Sequence, residues 1–150
     1  MILFWYHVFG GGHHAGIIVI DNLKGHSDPI YSFSGGPQYY GVLNGKLVSR
    51  SGPWKQGTQN YGRWNGGGVV LLDDDSPVGP WVKRLKQIDA DMAASTSADY
   101  RAIPGPFGNT GNSNSWASEF IERAGLEPSL DRAIGNRGGA AWVPGWGKDV

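Results

Sequence analysis

Apolar positions run almost unbroken through residues 2–9, "ILFWYHVF", and again through residues 14–20, "HAGIIVI". Runs rich in β-branched and aromatic residues suit neighbouring strands of a buried sheet. Gly10 to Gly12 form the expected turn between them. A third strand is predicted over Ile30 to Ser34, bounded by "SDP" and "GGP". In "YYGVLNGKLVSR" the pair Asn44-Gly45 separates two apolar runs, a strong hairpin signal, and "GVVLLDD" reads as a further strand. Between Ser51 and Gly68 no period is visible, and that stretch is expected to be irregular or a flap.

The second half changes period. "PVGPWVKRLKQIDADMAAS" places Val82, Leu85, Ile88 and Met92 at spacings of three and four, with Pro80 suited to a first turn, which predicts an amphipathic helix. After the Pro-Gly connection "YRAIPGPFG" a second helix is predicted from about Ser115 to Ala124. Ser115 serves as its N-cap, Glu119 lies in its first turn, Trp116, Phe120 and Ile121 share one face, and Gly125 stops it. The Gly-, Pro- and Trp-rich tail "GGAAWVPGWGKDV" is expected to pack back over the sheet. Strands first and helices later make the class α+β, an antiparallel sheet packed against helices.

Composition narrows the function classes. A chain of 150 residues with 39% hydrophobic content suits one domain, residues 1–150. Thirteen basic side chains balance thirteen acidic ones, so there is no electrostatic footprint for nucleic acid. The opening apolar run lacks a basic leader and is too short to span a bilayer, so no integral membrane segment is expected. Absence of cysteine removes disulfides, thiolate metal sites and a thiol nucleophile. No metal site and no cofactor are expected, because the four histidines show no metal-type spacing. Asp73 to Asp75 read as a solvated strand end.

Candidate chemistry gathers at two places. In "GNTGNSNSWASEF" one N-cap needs one polar residue, so Asn112, Ser113 and Asn114 are surplus to Ser115; a helix start also offers unpaired amides that favour a developing anion. His13 and His14 open the second strand after three glycines, and alternation lets only one of them face a helix packed on the sheet. Both places also admit a plain structural role, as a solvated cap and as strand-edge imidazoles. Trp54, Trp64 and Tyr40, in or beside the aperiodic segment, are candidates for stacking on a glycan or gripping a peptide.

A histidine opening a hydrophobic strand, followed about 100 residues later by a nucleophile at a helix start, resembles the permuted papain-like group. That group includes NlpC-type cell-wall amidases, PPPDE peptidases and lecithin-retinol acyltransferase-like enzymes. "HHAGIIVI" is similar to its histidine strand, and Asn112-Ser113-Asn114-Ser115-Trp116 to its Asn-Cys-Asn-Ser/His-Phe helix start. "PGP" before "NSN" and the trailing "WVPGW" also resemble a set of bacterial domains, while residues 40–80 match nothing in the pattern.

The resemblance implies Ser113 as nucleophile, His14 as general base with His13 its substitute if the strand is shifted by one, and backbone donors near Ser113 as oxyanion hole. It also implies a third polar residue on the next strand, Tyr31 or Ser32, with Asn112 and Asn114 bracing the loop. Ser113 stands where the family keeps cysteine. A serine must lose its proton to a base during attack, whereas a thiol is activated by a lowered pKa. The expectation is hydrolysis of an amide or ester in a peptidoglycan peptide, a protein or a lipid acyl group. The alternative is an inactive scaffold that binds a glycan, peptide or protein partner.

Overall fold

The computed structural model describes residues 2–9, 12–21, 29–39, 44–56, 69–73, 77–101 and 109–126, with the side chains of 3–9, 12–14, 44 and 69 left out. Gly10 and Gly11 of the expected Gly10 to Gly12 turn, the segments 57–68 and 102–108, most of the Asp73 to Asp75 run and the tail beyond 126 lie outside these residues, while Gly12 is itself strand, paired with Phe9.

Among the described residues, eight strands and two helices follow in the order β1 (Ile2–Phe9), β2 (Gly12–Ile20), β3 (Pro29–Tyr39), β4 (Asn44–Ser49), β5 (Gly52–Pro53), β6 (Val69–Leu72), α1 (Val78–Ser95), β7 (Asp99–Tyr100), β8 (Thr110–Gly111) and α2 (Ser113–Ala124). The sheet order is β6-β1-β2-β3-β4-β7-β8, with β5 pairing β3. Every pairing is antiparallel except the short parallel contact of β7 with β8. The architecture is α+β, a mixed and mostly antiparallel sheet packed against two helices.

β2 is an interior strand, between β1 and β3, and both of its faces are dry. Ala15, Ile17 and Val19 join one core cluster with Phe33, Leu85, Met92, Trp116 and Phe120. Ile18 and Ile20 are equally buried but stand outside that cluster, on the opposite face. Burial on two sides explains why the strand's sequence is a continuous apolar run rather than an alternation.

Helix α1 turns Leu85 and Met92 into the core, with Val82 and Ile88 flanking them half-buried, as the spacing predicts. Its other anchor is polar: Asp89 accepts hydrogen bonds from Ser49 Oγ at 2.6 Å and Ser51 Oγ at 2.9 Å, tying the helix to the corner between β4 and β5. Lys86 Nζ sits 4.5 Å from the centre of the Tyr31 ring. Arg84 donates to the Ala124 carbonyl at 3.1 Å, joining the two helices.

Two elements differ from the pattern. Asn44-Gly45 does not form the hairpin turn: Tyr39 pairs with Asn44, so the connection precedes it, and Gly45 takes a positive φ of 84° inside β4. The pairing shifts between Pro37 and Tyr39, and the glycine serves that irregularity instead of a two-residue turn. Within the supposedly irregular stretch, Gly52 and Pro53 form β5 by pairing with Ser32 and Tyr31.

A close approach fixes the height of α2 above the sheet. A Cβ added at Gly35 would lie 2.3 Å from Trp116 Cγ, so the indole rests directly on the β3 backbone. Gly35→Ala is expected to destabilise the protein by about 1–3 kcal/mol in urea denaturation, the usual cost of overpacking. Gly52→Ala, whose added methyl meets nothing within 4 Å, should cost nothing.

Burial raises the Asp89 carboxyl above its ordinary value, outweighing the lowering by its two serine donors. A raised folded-state pKa means that the folded chain prefers the protonated acid. The stability Asp89 contributes is therefore fully present below the unfolded value of 3.8 and lost as pH rises through the folded one. Asp89→Asn should accordingly be more stable than wild type at neutral pH and converge with it near pH 3. A variant that is less stable at neutral pH would mean that the charged hydrogen bonds dominate.

Candidate active site at the start of helix α2

β8 ends at Gly111, whose carbonyl accepts from Arg101 N at 2.8 Å, so Asn112 is the first residue free to turn. It is the N-cap, with φ −141° and ψ −171°. Its Oδ1 accepts from Asn114 N at 2.9 Å and Ser115 N at 3.1 Å, while Ser115 Oγ accepts from Asn112 N at 3.4 Å. This capping box corrects the expected helix start. Ser115 is the third helical residue rather than the cap, and Glu119 lies beyond the first turn, paired with Arg123 at 2.5 Å.

The whole turn is buried, with 3%, 4%, 1% and 0% exposure at Asn112, Ser113, Asn114 and Ser115. The orphan amides of the helix start are therefore distributed within it. Asn114 and Ser115 donate to the cap side chain, and Trp116 N donates to the Asn112 carbonyl at 3.0 Å. Neither the N–H nor the Oγ of Ser113 has a hydrogen-bond partner among the described residues. Asn112 thus holds the turn together, and Ser113 is left with a donor and a hydroxyl side by side.

The direction of α2 follows from two contacts. Trp116 lies over Gly35, and the Phe120 ring is 5.1 Å from the Phe33 ring. Four helical residues span about 6 Å and two strand residues about 6.6 Å, so the helix runs along the sheet antiparallel to β3 and parallel to β2. Since Ile17 pairs with Phe33 and Gly16 with Ser34, one more step places Gly35 beside Ala15. Ser113 is three residues before Trp116, about 4.5 Å further along, and so comes level with positions 13 and 14 of β2.

Pairing of β2 with β1 is unbroken from Gly12 to Val19. Position 13 therefore has the parity of Ala15, Ile17 and Val19, the set in the helix-side core, and position 14 that of Gly16 and Ile18. The side chains of His13 and His14 lie outside the described ones.

Other expected members are not brought to this end. Tyr31 pairs with Val19 and Ser32 with Ile18, five or six residues from position 13, or about 16–20 Å along the strand, so neither orients an imidazole there. This corrects the expected third residue. Tyr31 instead packs against Phe33 at 4.8 Å between ring centres. Trp54 is half-buried at that same far end, its N–H donating to the Ile30 carbonyl at 3.1 Å. Tyr40 and Trp64 lie outside the described residues. No group of three or more metal-ligating side chains forms among the described residues, and none of their helices is long and apolar enough to cross a membrane.

One feature has no sequence signal. A groove of about 240 Å³ opens between β4 and the end of α1, lined by Lys46, Leu47, Val48, Ser49, Ala93, Thr96 and Trp116. Its walls come from three separate segments, residues 46–49, 93–96 and Trp116, and no local period announces them.

The capping box makes a direct prediction. Asn112→Ala removes an acceptor shared by two buried amides and should cost about 1–2 kcal/mol in chemical denaturation, with Asn112→Asp restoring most of the loss. In comparisons with known proteins, the chain matches no family model, no curated protein and no solved structure.

Proposed function

We propose that this chain is a permuted papain-like hydrolase that cleaves an amide or ester bond with Ser113 as nucleophile. The observation that carries the proposal is the unshared N–H and hydroxyl of Ser113 at a buried helix start, level with the histidine-bearing end of β2. Strand parity favours His13 as the general base, with His14 its immediate neighbour.

In this mechanism the imidazole takes the Ser113 Oγ proton as Oγ bonds to the substrate carbonyl carbon. The carbonyl electron pair moves onto oxygen, where the Ser113 N–H donates to it. Collapse breaks the bond to the leaving amine or alcohol, which receives the proton from the imidazolium. Water, deprotonated by the same imidazole, then releases the acid and restores Ser113. Asn112 acts as a positioning residue, because it absorbs the amides of Asn114 and Ser115 and leaves one donor aimed from the first turn. Peptidoglycan peptide, protein and lipid acyl substrates all present the required carbonyl.

A second reading draws on the burial of all four residues of the turn. In it the chain is an inactive scaffold of the same fold that binds a glycan, peptide or protein partner.

A fluorophosphonate probe separates the two. Wild type should be labelled at Ser113 and Ser113→Ala should not; His13→Ala should slow labelling by about 10²–10⁴-fold, the usual worth of a general base. No labelling of folded wild type would leave the binding scaffold, and equal labelling of wild type and both histidine variants would exclude an imidazole base.

The cysteine variant gives an independent check. Ser113→Cys should have a thiol pKa at least about one unit below the free value of about 8.5, followed by iodoacetamide alkylation, and His13→Ala should reverse most of that shift. A thiol that titrates like free cysteine would contradict activation by the helix start and the imidazole together.

A further inference from the structure

The groove beside Trp116 has the size, lining and position to hold one part of a substrate acted on at Ser113. Its level along the sheet follows from the pairing of β3 with β4: Gly35 lies opposite Ser49, Gly36 opposite Val48 and Pro37 opposite Leu47. Positions 35 to 37 are the level at which the first turn of α2 crosses the sheet, because Trp116 rests on Gly35 and Ser113 precedes it by about 4.5 Å. Trp116 is thus one turn from Ser113 and also a wall of the groove.

Leu47, Val48, Ala93 and Trp116 make the lining largely apolar. The one ionic group in it, Lys46, is already committed: Nζ lies 2.8 Å from Asp99 Oδ1 and donates to the Ser97 carbonyl at 3.0 Å. A neutral occupant is therefore favoured over an anionic one. At about 240 Å³ the groove is smaller than the roughly 300–1,000 Å³ typical of whole-ligand pockets. Allowing about 30 Å³ for each water-sized group, it takes about eight of them. That suits a single aliphatic side chain or a short acyl chain.

We infer that this groove is the specificity pocket of the Ser113 site and that the substrate presents a short, neutral aliphatic group next to the scissile carbonyl. The inference rests on the hydrolase reading, and the test keeps the two apart. Wild type, Ala93→Leu and Val48→Phe would each be assayed with the p-nitrophenyl esters of acetate, butyrate and dodecanoate, and Ser113 would be titrated with a small fluorophosphonate. Two variants narrow opposite walls, so misfolding of one, read from circular dichroism, leaves the other.

Wild type should prefer butyrate to both other esters. Each folded variant should lower kcat/KM for butyrate by about ten-fold or more relative to acetate, the usual discrimination of a filled apolar pocket, with fluorophosphonate labelling within two-fold of wild type. Normal labelling with an unchanged chain-length profile would overturn the pocket and leave Ser113 catalysis standing. A wild type that prefers dodecanoate would also overturn it. Absence of both labelling and ester turnover in wild type would remove the hydrolase reading and the pocket with it.

Discussion

Trp116 lies on the sheet at the depth it does because residue 35 has no side chain. An indole seated on bare β3 backbone sets the distance between α2 and the sheet, and its stacking with Phe120 at 4.8 Å carries that depth along the helix. Phe120 in turn meets Phe33, so the aromatic line from Trp116 to Phe33 fixes direction as well as height. The position of Ser113 along β2 is a consequence of that line, as is the groove that the indole lines.

The helix start shows how local and tertiary constraints combine. β8 holds Gly111 extended, Asn112 caps, and a buried turn of four polar residues becomes tolerable because its amides find acceptors within it. Among the backbone amides of the turn Ser113 is the exception. In the proposed mechanism the cap is what makes the donor count small: the helix start offers one amide to an oxyanion, from the nucleophile's own residue.

Much of the fold was legible because it rests on period. The dry strand β2 and the stripe of Leu85 and Met92 declare themselves through burial, and Gly125 ends α2 with a φ of 69° as a left-handed C-cap should. The cap was misplaced by three residues because Asn112, Ser113, Asn114 and Ser115 are all competent caps. Only the pairing of β8, a contact outside the local sequence, chooses among them. Asn44-Gly45 misled for a similar reason, since a positive-φ glycine suits a bulge as well as a turn. In the site, Ser113 and the two histidines stood out as residue types. The distance of Tyr31 and Ser32 from the histidine end depended on strand register, which the sequence of β3 alone does not fix.

The central claim is that the first turn of α2 lies against position 13 of β2 rather than position 14. The chain has no cysteine, so paired cysteine variants report on proximity without background. The measurement is the rate at which a short bis-methanethiosulfonate joins His13→Cys to Ser113→Cys, compared with His14→Cys to Ser113→Cys, in folded protein. Rapid crosslinking of the 13 and 113 pair with little at 14 and 113 is the predicted result. Faster joining at position 14, or none at either, would contradict it.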